Sequence, residues 1–298
     1  MGSIAWLASY PKSGNTWFRV FITNLLSGLD EPVDINAINE GASAHDRVLF
    51  DELTGVETSE LAPEELDEMR PEVYAMAAEH HDGTLFYKTH DIFLRLADGS
   101  PVYPPAASLG AIYFVRNPLD VAASYANHNN SSVAEAIGLM ADPDHGLCMP
   151  ERRLFGQVPQ TLGTWSANVT SWVDNGLMPV HVVKYEDMLA RPLEAFGGVL
   201  RFLGMEHGED EMLRALRFSS FGELKRQEAE HGFRERSSKT ESFFRKGTSG
   251  SWREELSEAE VARVVADHGD VMRRFGYLDG AGRILDEMGG VHERQVNA

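Results

Sequence analysis

Residues 4–26, IAWLASYPKSGNTWFRVFITNLL, join two different hydrophobic periods through a short polar turn. Ile4 to Ser9 is an apolar run bounded by Tyr10-Pro11, the pattern of a strand buried on both faces of a parallel sheet. From about Gly14 the apolar positions Trp17, Val20, Phe21 and Leu25 recur at helical spacing, and Gly28 follows as a stop. A buried strand feeding straight into a helix commits the chain to an α/β architecture. The turn between them, with Lys12, Ser13, Gly14, Asn15 and Thr16, suits an anion cradle at a helix start, where free N–H groups and the helix dipole favour negative charge. It is not the common nucleotide loop. GxxxxGK[ST] places its Lys after the second Gly and follows it with a hydroxyl for Mg²⁺. Here Lys12 precedes Gly14 and no Gly opens the loop.

The same alternation continues along the chain. Residues 85–90 (LFYKTH), 111–115 (AIYFV) and 180–185 (VHVVKY) read as further strands. Asn117 and Pro118 cap and begin a helix after the second of these, carrying Val121, Ser124 and Tyr125. Helical spacing also marks a stretch from Pro63, the run around Trp165 and Trp172, a segment to about Leu203, another to about Glu230, and a last helix from Ser257 to Phe275. Residues 128–160 read as an excursion away from the core. The pattern predicts a parallel sheet covered by helices on both faces, as one domain over residues 1–278 with a flexible tail over 279–298.

The formal net charge of −19 argues against nucleic acid or an anionic membrane as partner. A chain of this charge that binds a polyanion must gather its cations locally. Between Arg234 and Lys246 it does so: Arg234, Arg236, Lys239, Arg245 and Lys246 face only Glu235 and Glu241, and Gly247 and Gly250 follow. A solvated basic loop is the alternative reading. No apolar stretch has the length of a membrane span, the N-terminus runs directly into a strand, and the one cysteine, Cys148, leaves no internal disulfide. A cytoplasmic location is expected.

Lys88-Thr89-His90 ends one strand and Arg116 ends another, so both face the crevice beyond the carboxyl edge of a parallel sheet. His90 has the side chain best suited to proton transfer near neutral pH, and Arg116 with Ser124 could hold a second phosphate group. A structural histidine and an ordinary strand-to-helix turn are the plainer readings of these pieces. No HExxH, Cys/His cluster or GxSxG occurs, so neither a metal nor a serine nucleophile is expected.

PKSGNTW, KTH, VRNPLDVAASY, VKYEDM, SSFGEL and FFRKGTSGSW, in that order over residues 4 to about 253, resemble the cytosolic-type sulfotransferases. The resemblance implies a P-loop-like three-layer α/β/α fold and 3′-phosphoadenosine-5′-phosphosulfate as donor, with adenosine 3′,5′-bisphosphate (PAP) as product. It implies that Lys12, Ser13, Gly14, Asn15, Thr16 and Trp17 bind the 5′-phosphosulfate end, and that Arg116, Ser124, Arg245, Lys246 and Gly247 bind the 3′-phosphate. Tyr185, Ser220 (or Ser219) and Phe221 would line the adenosine, with Trp17 and Phe221 stacking on it. His90 falls at the position of the base, with Lys12 and Lys88 as cations near the sulfuryl group. Asn15 stands where animal relatives have Thr, which resembles the bacterial branch, and the animal dimerisation motif has no match after Trp252. Residues 30–84 and 128–160 match no named element, so the acceptor is expected only as a small-molecule phenol or alcohol, such as a natural product. An atypical P-loop kinase and a non-catalytic bisphosphate-binding protein are the competing readings.

Overall fold

A computed structural model describes residues 2–149, 154–236 and 240–285. The run from residue 4 forms strand β1 (Ser3–Ser9), whose last six residues are buried. It lies at the centre of a parallel five-stranded sheet. With β2 (Ala42–Ser43), β3 (Thr84–Thr89), β4 (Ser108–Val115) and β7 (Val180–Lys184), the order is β2-β3-β1-β4-β7. The register pairs Leu7 with both Lys88 and Ile112. Because every strand runs the same way, the loops after β1, β3, β4 and β7 open at one edge.

Helices cover both faces. Helix α1 (Asn15–Ser27) packs Phe18, Phe21 and Ile22 with Ile112 and Phe114 of β4, in a cluster joined by α7 (Tyr185–Ala190), α8 (Pro192–Phe202) and α9 (Glu209–Phe218). The opposite face is larger and includes α2 (Arg47–Thr54), α3 (Pro63–Glu79), α4 (Pro118–Asn129), α5 (Val133–Ala141), α6 (Trp165–Val173), α11 (Trp252–Glu255) and α12 (Glu258–Arg274) around Trp6, Trp165, Trp172 and Trp252. Helix α10 (Phe221–His231) stands beside the start of α1, and a two-stranded antiparallel pair, β5 (Gly146–Leu147) and β6 (Gln160–Thr161), flanks the sheet's open edge. Among the described residues no helix is long and apolar enough to cross a membrane.

Four readings of the sequence change. Residues 133–141 are not an excursion but a core helix, with Ala136, Ile137 and Met140 fully buried. The segment read as one helix to Leu203 is two, broken at Arg191 because Pro192 begins a new helix. The segment to Glu230 is likewise two, meeting at Ser219-Ser220. Residues 279–285, expected to fray, turn back: Leu285 N–H donates to Tyr277 O (3.0 Å), and Ile284 is buried. Residues 286–298 of the expected tail lie outside the described residues.

Two buried carboxylates fasten the open edge. Glu186 accepts from Asn117 N–H (2.9 Å) and from Tyr277 O–H (3.0 Å), tying the loop after β4 to α7 and to the segment after α12. Asp120, fully buried in the first turn of α4, accepts from Gly250 N–H (2.8 Å), Trp252 N–H (3.1 Å), Ser249 O–H (3.2 Å) and Ser251 O–H (3.3 Å). That carboxylate holds the Gly-rich loop of the basic segment against the sheet. Asp120→Asn replaces an oxygen acceptor by a donor facing these groups. It is expected to lower stability by about 1.5–3 kcal/mol, read as a shift in the denaturant midpoint at unchanged m. An unshifted midpoint would remove the anchor role.

Candidate functional site

The loop after β1 takes its shape from two left-handed residues, Lys12 (φ 69°) and Gly14 (φ 98°). At Gly14 a Cβ would lie 2.6 Å from Tyr185 Cδ2, so only glycine lets α7 approach this closely. Lys12 has no such freedom and is held in a conformation L-residues rarely adopt, with its carbonyl accepting from Arg116 Nη1 (3.0 Å). Helix α1 starts without a side-chain cap, and its first bonds run from Trp17 and Phe18 N–H to Gly14 O (3.0 and 3.3 Å). The N–H groups of Asn15 and Thr16 therefore have no intrahelical acceptor and are available to an anion.

This loop forms one wall of a cavity of about 480 Å³ at the open edge of the sheet. Lys12, Ser13, Gly14, Asn15, Thr16, Trp17, Lys88, His90, Arg116, Ser124, Tyr185, Phe221, Arg245, Lys246 and Gly247 all line it. Of the residues given a donor-binding or catalytic role in the sequence, Ser220 and its alternative Ser219 do not: Ser220 is an exposed residue before α10. Its neighbour Ser219 is buried, with its hydroxyl donated to Ala215 O (2.8 Å). Lys239 lies outside the described residues.

Asn15 lines the wall differently from a ligand contact. Its side-chain amide is turned inward, donating to Leu7 O (2.8 Å) and Ser9 Oγ (3.3 Å), so its side chain braces the loop against β1. Phe221 lies against Gly247 (φ 62°), where a Cβ would come within 2.2 Å of the ring. The two thus make a flat aromatic surface backed by bare backbone. Arg116 bridges loops: Nη2 donates to Thr248 O (3.0 Å), and its guanidinium stacks 4.3 Å over the Tyr185 ring. Arg245 is chelated by Glu255 (2.7 and 2.9 Å), and Lys246 pairs with Glu254 and Glu255.

The sequence reading missed the second tier of the cavity. Arg19 lies one helical turn beyond Asn15 and Thr16 on α1, and that spacing was the available signal. Glu235, read only as a charge offsetting the basic loop, reaches inside and bridges Arg19 Nη1 (2.6 Å) and Lys88 Nζ (3.2 Å). Ser43, His128, Gln157 and Gln160 complete a polar end near His90, drawn from segments with no sequence signature.

The electrostatics follow from crowding cations. Burial lowers Lys12 to about 8, with Arg116 and Lys88 acting in the same direction, and Nζ lies 4.1 Å over the Phe243 ring. Burial also lowers Lys88. His90 Nδ1 lies 2.8 Å from Ser9 O; a carbonyl only accepts, so Nδ1 carries the proton and Nε2 keeps its lone pair. Nε2 has no bonding partner among the described residues. Burial and Lys88 lower His90 to about 3. Ser13 Oγ, Trp17 Nε1, Arg19 Nε and Arg116 Nε are buried without a partner among the described residues, on side chains that all line the cavity. Unpaired donors beside free helix N–H groups fit a ligand rich in anionic oxygens.

Comparisons with known proteins agree with this geometry. A family model described as Sulfotransferase domain matches residues 4–276. Sulfotransferase 1A1 of Canis lupus familiaris is 25% identical over 288 residues, covering 91% of this chain and 83% of that protein. Luciferin sulfotransferase of Photinus pyralis is 26% identical over 270 residues, covering 86% and 68%. Two solved structures share the fold. Mouse sulfotransferase SULT7A1 complexed with PAP has a TM-score of 0.56 at 21% identity, covering 91% of this chain and 84% of its own. Retinol dehydratase in complex with androsterone and inactive cofactor PAP has a TM-score of 0.59 at 19% identity, covering 91% and 80%.

The His90 ring gives a test that needs no ligand. Its ¹⁵N resonances, assigned with His90→Ala, are expected to show the Nδ1–H tautomer with a titration midpoint near 3 rather than the ordinary 6.5. A histidine lowered in the folded state supports stability above 6.5 and withdraws that support as pH falls from 6.5 towards 3. A midpoint near 6.5 would contradict the buried, cation-flanked placement.

Proposed function

The chain belongs to the sulfotransferase domain family, and from that premise we propose that it transfers a sulfuryl group from 3′-phosphoadenosine-5′-phosphosulfate to a hydroxyl of a small-molecule acceptor. The observation that carries this reading is a neutral histidine, with a free Nε2, in a cavity whose charged lining is predominantly lysine and arginine. A phosphate-binding cradle alone would need no such base. Relatives support the ligand classes: solved structures of the same fold are PAP complexes, one also holding androsterone.

The donor supplies the sulfuryl group and leaves as PAP. Ser13, the N–H groups of Asn15 and Thr16, and Lys12 hold its 5′ end. Phe221 over Gly247 and Trp17 at the start of α1 receive the adenine. Arg116 and Ser124, with Arg245, Lys246 and Gly247, receive the 3′-phosphate, which has to compete with Glu255 for Arg245 and Lys246. His90 Nε2 takes the acceptor's hydroxyl proton while the oxygen–sulfur bond forms and the bond from sulfur to the bridging oxygen breaks. Lys12 and Lys88 stabilise the charge that grows on the bridging and equatorial oxygens, a preorganised field that requires no proton transfer of its own.

His90→Ala is expected to keep PAP affinity in calorimetry and to lose about 10²–10⁴-fold in turnover, measured as labelled sulfate transfer to a panel of phenols and alcohols. Near-wild-type turnover would reject His90 as the base, and a folded wild type that transfers nothing while binding PAP would favour a non-catalytic binder. Arg116→Ala is expected to reduce the preference for PAP over AMP. Because Arg116 also braces two loops, the ratio of the two affinities is the informative quantity. An unchanged ratio would remove Arg116 from the 3′-phosphate site.

A further inference from the structure

Among the described residues, seven cationic side chains line the cavity: Lys12, Arg19, Lys88, Arg116, Arg234, Arg245 and Lys246. One carboxylate, Glu235, lines it with them. An acid in a site for a polyanion weakens binding of that anion, so its presence has to serve something else. Its geometry says what. Oε1 pairs with Arg19 Nη1 at 2.6 Å and Oε2 with Lys88 Nζ at 3.2 Å, so the carboxylate spans two cations that would otherwise face each other. Arg19 is only 5% exposed in its side chain and Lys88 20%, which leaves water little part in screening them. The residues just before Glu235 are fixed: Arg234 N–H donates to Asn36 Oδ1 (2.8 Å), and Phe233 is buried beside Phe244. Glu228, the other acid that acts on Lys12, is engaged by Ser242 O–H and by the N–H groups of Phe243 and Phe244.

We propose that Glu235 is a positioning residue for sulfuryl transfer, acting through Lys88: its carboxylate bridges Arg19 and Lys88 and holds the Lys88 side chain in the cavity as a cation. This rests on the function proposed above. The groups facing Lys88 are Arg19 from α1, Lys12 from the loop after β1, His90 at the end of β3 and His128 from α4, with Glu235 opposite them. Of these only Glu235 favours the ammonium form; burial and Arg19 both oppose it, and His90 and His128 stay neutral. Glu235 is itself held ionised at about 2, because Lys88 and Arg19 outweigh the effect of its burial. Without it, nothing would offset burial and Arg19, so Lys88 would lose its proton, and with it its charge, at lower pH than it does beside Glu235.

The test reads Lys88 directly. Protein labelled with ¹³Cε-lysine is titrated by NMR, with Lys88 assigned by its absence in Lys88→Arg, in wild type, Glu235→Gln and Glu235→Asp. The Lys88 midpoint is expected to move to lower pH in Glu235→Gln and to lie between the two in Glu235→Asp, whose shorter carboxylate still reaches one cation. In turnover, Glu235→Gln should lose more kcat at pH 8.5 than at pH 6.5, with KM for the donor unchanged or lower because a repelling charge has gone. A Lys88 midpoint unmoved in both folded variants, or a kcat loss equal at all pH, overturns the proposal. PAP binding to the same samples judges the parent reading separately: failure to bind PAP rejects the donor, while the lysine titration still decides whether Glu235 controls Lys88.

Discussion

Crowding positive charge into one end of an acidic molecule is the constraint that organises everything at this sheet edge. Lys12 and Lys88 act on each other through Coulomb repulsion and are both desolvated, and like charges in such a place are costly unless something opposes them. The chain opposes them with individually placed carboxylates. Glu235 sits inside and takes Arg19 and Lys88; Glu255 sits outside and takes Arg245 and Lys246. Asp120, Glu186 and Glu228 do not pair with a cation of the cavity. They spend their oxygens on backbone N–H and hydroxyl groups of the loops that deliver those cations. The global charge of −19 and the local basic cavity are therefore two sides of one arrangement, in which acids serve as counter-ions and as loop anchors.

The same field sets the state of the histidine. Burial, and then the charge of Lys88, make it costly to protonate His90, so the ring stays neutral far below neutral pH. The bond from Nδ1–H to Ser9 O fixes which nitrogen is left free. Ser9 Oγ in turn accepts from Asn15, so the residue that braces the cradle also braces the ring's partner. On the opposite side, Asn168 Nδ2 donates to His90 O (2.9 Å), and the next residue, Asp91, is locked by Arg70, by His45 (2.7 Å), by Tyr103 O–H (3.0 Å) and by Thr161 N–H. The end of β3 is thus pinned by the neighbouring strand β1 and by α3 and α6, which preorganises the ring without a contact from any ligand.

What the sequence disclosed and what it withheld follow from the range of the forces involved. The β1–α1 and β4–α4 turns were legible because hydrophobic period, glycine and the Asn117-Pro118 cap are all local signals. The core helix α5 was not, because its apolar face is only three residues long within a stretch of polar and turn-forming neighbours, and burial against α4 and α12 decides it. The two-residue strand β2 has no period at all and exists because β3 offers it an edge. Asn15 shows a finer limit: its place in the cradle was clear, but whether its amide faces a ligand or the strand depends on the carbonyl of Leu7, fixed only once β1 is folded.

The two ends of the cavity differ in the same way. The cradle end is built from backbone geometry, with positive φ at Lys12, Gly14 and Gly247 and a helix start without a cap, so it leaves glycines and fixed spacings in the sequence. The opposite end is built from side chains that converge from β2, the last turn of α4, the β5–β6 pair and the segment around Glu235. Those side chains come from separate elements, so no spacing ties Ser43 to His128 or Gln160. Glu235 belongs to the side-chain-built end yet pairs with Lys88 at the end of β3 and with Arg19 on α1, so it is the carboxylate that ties that end to the elements framing the cradle.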